Sequence, residues 1–509
     1  MADQDAVAAF KVEGDVDQIT LHTKQAIANP SIPIQASSLE RLEEAEADKF
    51  EQTRGGGAYA DKWTGRWGKW QGWLGGSSGT TLDALLVTAS SQIGQIMLSM
   101  PNAFAKMGLA AGLVLSIASG LISAYTIVLL VHLYEERKRR LILSDKWYGE
   151  KGASKRITQY HEVVGYLCGR PLGWVTAFFV MLNVFGLCVA QVVACSSDAY
   201  YWRTSLDKRT WAFIFGAILQ LSVCVPTLRH TRIINIIGLI GTTYTVWWIV
   251  IAAATSGRGI QNPAATAPPK TLQLFYTGFG VLLVAFGGHN ISFEVMDGMN
   301  VPKKYRWIGF VSFLYIFTLT VPHSTAVQLV YPKNNAKYGN VYGSLPHTWA
   351  MNISIFLMII HQICAFIYFN APLFYLWEKL WGIHEKSLFI RIPSRLPITL
   401  AAWLIGIMLP FYGTLNSVIG ALCGPIVAFA MPALAFNITY WTKKSRQEVA
   451  LSPFKWMIKY TGWKLIFAFN WFIILFYVAN GTGLALVYSI KTFAQAVHQY
   501  KLFAKCYQC

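Results

Sequence analysis

The sequence has 509 residues, of which 54% are hydrophobic, 14% are aromatic and only 13% are charged. This composition excludes an ordinary soluble domain and predicts an all-α polytopic membrane protein. The net charge of +18 would also suit a nucleic-acid ligand, but the basic residues stand in short loops between apolar runs. That pattern is typical of contacts with lipid headgroups, so we expect membrane lipids and no nucleic acid as partners.

The first 81 residues are predicted to lie outside the bilayer. Residues 1–62 carry mixed charges without apolar periodicity, which indicates a disordered cytosolic tail. In residues 63–81, Trp63, Trp67 and Trp70 recur at helical spacing among basic residues, and a Gly-rich joint follows. This segment favours either an interfacial helix or an aromatic belt.

Eleven segments are apolar and long enough to cross a bilayer, which takes about 20 residues. They lie at residues 82–107, 110–134, 172–200, 210–228, 233–255, 271–297, 307–331, 349–377, 396–412, 414–440 and 463–488. We predict a transporter domain at 82–488, with helices 1–5 at 82–255, helices 6–10 at 271–440 and helix 11 at 463–488. Residues 489–509 are expected to form an extracellular tail.

Lysine and arginine residues are concentrated in alternate loops. If the N-terminus is cytosolic, the inner loops hold the positive runs at 137–140, 303–306 and 443–446, whereas the outer loops hold few positive charges. Positive charge marks the cytosolic side, so this bias predicts a cytosolic N-terminus. The odd number of helices then puts the C-terminus outside.

The sixth segment reads as an interrupted helix at Gly287, Gly288 and His289. Two adjacent glycines weaken a helix by about 1 kcal/mol each, and unwound backbone persists at membrane depth only in a cavity or inside protein. The first segment also looks interrupted, because its polar centre ends at Gln95 and Pro101 follows. Interruptions in helices 1 and 6, five helices apart, are typical of a five-plus-five inverted repeat, although no residue-level repeat is visible.

Few ionisable residues lie inside the predicted spans, where a charge costs about 2.5–3.5 kcal/mol and is presumed functional or paired. His289, beside freed backbone amides, could bind a carboxylate and a proton, or it could be a packing histidine. Glu294 could accept a proton during loading or make a structural hydrogen bond. His361 lies in the middle of its span, whereas His323 could simply fill a kink, and Asp198, near a span end, is expected to be interfacial.

Polar uncharged residues occupy the centres of four predicted spans. They are Gln92, Gln95, Asn183, Gln191, Asn370 and Asn416. Hydrogen bonding between helices is the default explanation for any one of them. Their concentration on the first, third, eighth and tenth spans favours a shared cavity.

The sequence contains no P-loop, no HExxH, no GxSxG and no Cys/His metal spacing. We therefore expect no enzyme, no metal and no organic cofactor, which leaves a secondary transporter with the proton as coupling ion. Six cysteines stand singly and read as packing residues. Cys506 and Cys509 form a CxxC whose state, as a disulfide, a lipid-modified thiol or neither, stays open.

Several stretches carry a specific resemblance. They are ASSQIGQ at 89–95, LDKRTWAFIFGA at 206–217, FGGHNISFEVM at 286–296, IIHQ at 359–362, LNSVIGAL at 415–422 and LFAKCYQC at 502–509. Over about 83–509 the chain resembles the plant auxin influx carriers, the AUX/LAX family within the amino acid/auxin permease group. It departs from that family at Ser91, Asn102 and His323, where the family has Asn, Tyr and a small residue.

The resemblance implies a proton-coupled importer of indole-3-acetic acid in the plasma membrane, with a LeuT-like fold of eleven helices. Such a carboxylate substrate needs hydrogen-bond donors, which half-helix N-termini supply, and an apolar wall for its ring. We expect substrate contacts at Ser91, Gln92, Gln95, Gln191, Phe286, Gly287, Gly288, His289 and His361, with proton coupling at His289 and Glu294. A proton-coupled amino acid permease and a membrane receptor that transports nothing are the alternatives.

Overall fold

A computed structural model describes most of the chain beyond the N-terminal region. The described residues are 80–92, 94–144, 157–225, 232–257, 259–260, 265–447 and 454–508. The predictions for 1–62 and for most of 63–81 therefore lie outside the described residues, as does Cys509. Apart from 454–456, the described residues belong to one compact unit formed by 78–447 and 457–509.

Every regular element in the described residues is a helix. In the first half these are α1 (Thr81–Gln92), a 3-10 turn (Gln95–Ser99), α2 (Met100–Met107), α3 (Leu109–Leu143), α4 (Tyr160–Cys168), α5 (Arg170–Trp202), α6 (Lys208–Leu219) with a 3-10 turn (Gln220–Cys224), and α7 (Arg232–Ala254).

The second half continues in the same way. It contains α8 (Leu272–Ala285), a 3-10 turn (Gly288–Ile291), α9 (Ser292–Gly298), a 3-10 turn (Pro302–Lys304), α10 (Tyr305–Val330), α11 (Pro332–Lys337), a 3-10 turn (Val341–Gly343), α12 (Trp349–Leu380), α13 (Leu388–Met408), α14 (Tyr412–Gly424), a π-helix (Pro425–Ala430), α15 (Met431–Thr439), α16 (Lys443–Gln447), α17 (Phe454–Tyr477), a π-helix (Val478–Ala485) and α18 (Leu486–Tyr500).

Within the described residues, nine helical segments are long and apolar enough to cross a membrane. They correspond to the predicted segments two, three and five to eleven. The first predicted segment is divided into α1 and α2, and the fourth reaches residue 225, where the described part pauses. The chain is thus a multi-pass membrane protein, while the count of eleven and the inverted repeat stay predictions.

Both expected interruptions are present. Gly94 separates α1 from the following turn with φ −20° and ψ −157°, and α2 begins with Pro101 in its first turn. In the sixth segment α8 ends at Ala285, and Gly287 precedes a separate 3-10 turn. Glycine has little preference for the helix, so a break at these positions costs little. Helices α2 and α8 pack against each other, which brings the two interrupted segments together.

Three predicted boundaries differ clearly from the structure. The second segment does not end at residue 134, because α3 continues to Leu143. The eleventh segment does not end at residue 488, because α18 continues to Tyr500. Phe493 and Ala496 of α18 pack on Phe411, so one face of this helix has a partner in the bundle. The ninth segment begins at Leu388, eight residues before the predicted residue 396.

A buried ion cluster holds one end of the bundle, which we call the predicted inner end. Glu378 is fully buried and accepts hydrogen bonds from Arg395 Nε at 2.7 Å, Arg391 Nε at 2.9 Å and His384 Nδ1 at 2.9 Å. Arg395 also donates to the carbonyl of Val223 at 2.9 Å. The cluster joins α12, α13 and the end of the fourth segment, which satisfies charges that burial would otherwise make costly.

Residues 501–508, which we call the C-terminal strap, cover the opposite, predicted outer end. The ammonium group of Lys208 is almost fully buried and donates to the carbonyl of Tyr507 at 2.6 Å and to that of Gln508 at 3.3 Å. The side chain of Gln508 accepts from the backbone N–H of Gly339 at 2.9 Å. Cys506 of the strap is disulfide-bonded. Of the three states that the sequence left open for this residue, the structure has the disulfide.

Lys208→Met is expected to loosen the C-terminal strap. The substitution removes the buried donor to the carbonyl of Tyr507, whereas the carbonyl of Gln508 keeps a bond from the Tyr201 hydroxyl. A buried carbonyl left unpaired costs about 1–3 kcal/mol. Thermal unfolding of the purified protein should therefore occur several degrees lower. Lys333→Met removes an exposed charge from the same end and is the control. Equal unfolding temperatures for the two variants would contradict a stabilising role for this contact.

Candidate functional site

A cleft lies where the two interrupted segments meet. Its lining consists of Ser91, Gln92, Gly94, Gln95, Ile96, Leu187, Gln191, Val284, Gly287, Gly288, Asn290, Ile291 and Phe369. None of these side chains is charged. Amides and freed backbone form one part of the lining, and aliphatic side chains with one phenyl ring form the other. Six of the residues expected from the sequence line this cleft: Ser91, Gln92, Gln95, Gln191, Gly287 and Gly288.

Gln92 of the first interrupted segment lies close against Gly288 of the second. A Cβ atom added to Gly288 would lie 2.0 Å from Cγ and 2.1 Å from Nε2 of Gln92. Carbon atoms in contact normally stay about 3.5–4.0 Å apart. Position 288 therefore requires glycine for the Gln92 side chain to lie across the unwound backbone.

Gln95 is held by a reciprocal pair of amide hydrogen bonds. Its Nε2 donates to Asn416 Oδ1 at 2.8 Å, and Asn416 Nδ2 donates back to Gln95 Oε1 at 2.8 Å. Tyr412 donates a further hydrogen bond to the carbonyl of Gln95. The turn after the first break is thus attached to α14, so Gln95 presents a fixed surface to the cleft. Substrate contact by its amide would require these two bonds to exchange.

Gln191 of α5 is the lining amide that can still accept a hydrogen bond from a ligand. Its Oε1 is buried without a hydrogen-bond partner among the described residues, and its Nε2 lies beside Gly94. An unsatisfied buried amide oxygen costs free energy, so this group is suited to a ligand or a water molecule in the cleft. Sequence reasoning missed the neighbouring Asn290, whose Oδ1 accepts from Asn183 Nδ2 at 2.9 Å.

His289 is fully buried but does not line the cleft. Its ring faces Thr126 of α3, with Nε2 2.9 Å from Oγ1. The Thr126 hydroxyl lies within hydrogen-bond distance of the carbonyls of Ile122 and Ser123, to which it can donate its single hydrogen. Nε2 then carries the imidazole hydrogen, and Nδ1 has no hydrogen-bond partner in the described part of the chain. This arrangement leaves Nδ1 with a lone pair that no donor among the described residues occupies.

Phe286 and His361, also expected to contact substrate, lie elsewhere. Phe286 is buried, and its ring lies 6.5 Å from that of Phe313 on α10. His361 is buried in α12 with Nδ1 against Gly238 of α7, and its Nε2 has no hydrogen-bond partner among the described residues. Neither side chain is part of the cleft lining.

Asp198 is not interfacial, as its place near a span end had suggested. It is fully buried and accepts from Asn340 Nδ2 and Gln362 Nε2, each at 2.6 Å. The two donors come from the loop after α11 and from α12, more than 140 residues away along the chain. Such distant pairing satisfies the buried carboxylate, and the position of Asp198 along its own helix gave no sign of it.

Glu294 lies on α9, beyond the second break, and is almost fully buried. Gln159 Nε2 donates to its Oε1 at 3.4 Å, whereas Oε2 has no hydrogen-bond partner among the described residues. Lys379 lies on the other side of Gln159: it donates to Gln159 Oε1 at 3.1 Å and to Glu162 Oε2 at 3.0 Å. Glu294 therefore makes the structural hydrogen bond that the sequence left open, while one of its carboxyl oxygens remains without a partner in the described residues.

The cleft suits a small molecule with an apolar body and a polar end. Ile96, Leu187, Val284, Ile291 and Phe369 provide the apolar wall. Amide groups and unwound backbone provide the hydrogen bonds that orient a ligand. This combination at two helix breaks is the arrangement by which discontinuous helices bind substrates in secondary transporters.

Comparison with known proteins identifies the family of the chain. The family described as transmembrane amino acid transporter protein matches residues 77–475. Auxin transporter-like protein 4 of Medicago truncatula is 36% identical over 441 residues, which cover 86% of this chain and 88% of that protein. Auxin transporter protein 1 of Arabidopsis thaliana is 34% identical, with 86% and 88% covered. Auxin transporter-like protein 1 of Oryza sativa subsp. japonica is 35% identical, with 86% of each covered.

These matches extend over almost the whole helical unit and confirm the resemblance seen in the sequence. They concern membrane transporters and not enzymes, and they imply a small-molecule substrate. The chain belongs to the AUX/LAX family of auxin transporters, within the transmembrane amino acid transporter proteins.

Proposed function

We propose that this protein imports auxin, indole-3-acetic acid or a related aromatic weak acid, together with protons across the plasma membrane. The observation that carries the proposal is the uncharged cleft between the two helix breaks, with amides on one side and an apolar wall on the other. The carboxylate would bind Gln92, Gln191 and the backbone at Gly287 and Gly288. The indole ring would lie against Leu187 and Phe369.

Proton coupling follows from the electrical cost of importing an anion. Moving one negative charge inward against a potential of 100 mV costs about 2.3 kcal/mol, and a co-transported proton cancels that charge. His289 and Glu294 are the proposed proton carriers, because Nδ1 of the first and Oε2 of the second are buried without hydrogen-bond partners among the described residues. Because His289 does not line the cleft, it would act on the substrate indirectly, by holding a proton beside the cleft. Alternating access would then carry the loaded site inward.

The test is uptake of labelled indole-3-acetic acid by oocytes at acidic and neutral outside pH. Uptake should be saturable and larger at acidic pH, and His289→Ala should reduce it by about tenfold, the equivalent of one buried hydrogen bond of about 1.4 kcal/mol. Oocytes without the protein are the control, because the neutral acid crosses bilayers unaided. Uptake that ignores pH, or a His289→Ala carrier as active as the parent, would count against the proposal.

A proton-coupled amino acid permease is the second candidate, because the matching family is named for amino acid transport. An amino acid also brings an ammonium group, which needs an acceptor of its own. The lining offers amide and backbone oxygens but no carboxylate. Competition between labelled auxin and a panel of amino acids separates the two candidates, and strong inhibition by an amino acid would favour the second.

A further inference from the structure

His323 occupies the middle of α10, directly after Pro322, and is fully buried. Its two ring nitrogens both face main-chain carbonyls. Nδ1 contacts the carbonyl of Leu319 in its own helix, and Nε2 lies 2.9 Å from the carbonyl of Met97. Met97 belongs to the 3-10 turn that follows the first helix break. The imidazole thus bridges α10 to an interrupted segment, which a residue that only fills a kink would not do.

Two carbonyl acceptors require two donors. A neutral imidazole carries one N–H, so one of its nitrogens would point a lone pair at a carbonyl oxygen. An imidazolium has an N–H on each nitrogen and donates to both. We infer that His323 is a proton-binding site, which joins α10 to the first interrupted segment when it is protonated and releases that segment when it is not.

The surroundings of the ring do not provide another explanation for this geometry. Helix α10 packs against α1, α2, α3, α7 and α11. The titratable and charged side chains of these helices and of α10 itself, in their described parts, are Asp83, Lys106, Tyr125, His132, the run 134–140, Tyr244, Tyr305, Arg306, Tyr315, Lys333 and Lys337. None of them hydrogen-bonds the ring or acts on it as a charge, and its polar contacts in the described chain are the two carbonyls. Burial opposes a charged ring, and the two carbonyls offset that cost only while both stay in place.

The contact between His323 and Met97 lies close to the cleft along the chain. Met97 follows Gln95 and Ile96, both of which line the cleft, and the same turn leads into α2. With the N–H of the neutral ring kept on Nδ1, loss of the proton removes the imidazole donor from the carbonyl of Met97, which then keeps, among the described residues, only its bond from the backbone N–H of Met100. The start of α2 would lose its link to α10. This inference rests on the proposed transport function for its consequence, since it gives protons a second point of action besides His289 and Glu294. The site itself depends only on the geometry of the bridge.

His323→Gln tests the site, because the amide offers a neutral donor but cannot gain a charge. The ratio of uptake at acidic to uptake at neutral outside pH should fall towards one, with transport retained at neutral pH. His347→Gln, at an exposed loop position where the ring hydrogen-bonds the Tyr201 carbonyl, is the matched control and should keep the parent ratio. His323→Ser is a second variant that removes titration with a smaller side chain.

A readout without substrate separates this site from the proposed function. Ala105→Cys places a thiol on α2, and its reaction rate with an impermeant thiol reagent should change with pH in the parent background. Dividing by the rate in the His323→Gln background at each pH cancels the ionisation of the thiol. A pH-dependent ratio without any auxin uptake would uphold the site and reject the proposed function. A ratio that is constant with pH, together with an unchanged uptake profile in His323→Gln, would overturn the site.

Discussion

Replacing Gly288 by alanine is expected to reduce uptake by about fivefold or more while leaving the protein folded in the membrane. The added Cβ would lie 2.0 Å from Cγ of Gln92, so the Gln92 side chain has to leave its rotamer. Overpacking of this kind costs about 1–3 kcal/mol, and each 1.4 kcal/mol of lost binding is tenfold. The damage falls on the cleft, because both residues line it.

Gly298→Ala is the matched control in the same segment. A Cβ there meets nothing within 4 Å, so uptake and surface amount should equal those of the parent. Uptake of labelled substrate is divided by the amount of carrier at the cell surface, measured by biotinylation.

The same substitution in a Gln92→Ala background completes a double-mutant cycle. With Gln92 shortened, Gly288→Ala should cost much less than it does alone. A Gly288→Ala carrier as active as the parent, or an undiminished effect in the shortened background, would disprove the proposed contact between the two breaks.

The helix breaks were predictable because they are local properties of the chain. Glycine pairs and polar helix centres lower helix stability wherever they occur, so the interruptions at Gly94 and at Gly287 could be read from the sequence. Because the cleft lies between the two breaks, residues on the unwound turns lie near it. Gln92 and Gly288 are examples, since each lies at the edge of a break.

Side-chain direction and distant pairing were not predictable from one sequence. His289 follows Gly288 directly, yet its ring faces Thr126 on α3 and not the cleft. Asp198 was expected at the interface, but its partners come from residues more than 140 positions away. Hydropathy tells which residues are buried and not which helix face meets which neighbour. The bridge made by His323 escaped detection for the same reason.

Glu294→Gln is expected to remove the stimulation of uptake by acidic outside pH. Glu294 is almost fully buried, and its Oε2 lacks a hydrogen-bond partner in the described chain. A carboxylate in that position is costly unless it is protonated or paired, so the group is suited to bind the coupling proton and release it later. Glutamine has the same shape and still accepts from Gln159, but it can neither gain nor lose a proton.

The ratio of uptake at acidic to uptake at neutral outside pH is expected to be about one. Substrate should still bind, because the neutral glutamine corresponds to the protonated stage of the transport cycle and cannot leave that stage. Glu385→Gln removes an exposed acid from the loop after α12 and should keep the parent ratio. The Ala105→Cys reporter should still respond to pH in Glu294→Gln, since that response is assigned to His323. A parent-like ratio in Glu294→Gln would exclude this carboxyl group as the proton carrier and leave Nδ1 of His289, the other buried atom without a hydrogen-bond partner beside the second break, to carry the coupling proton.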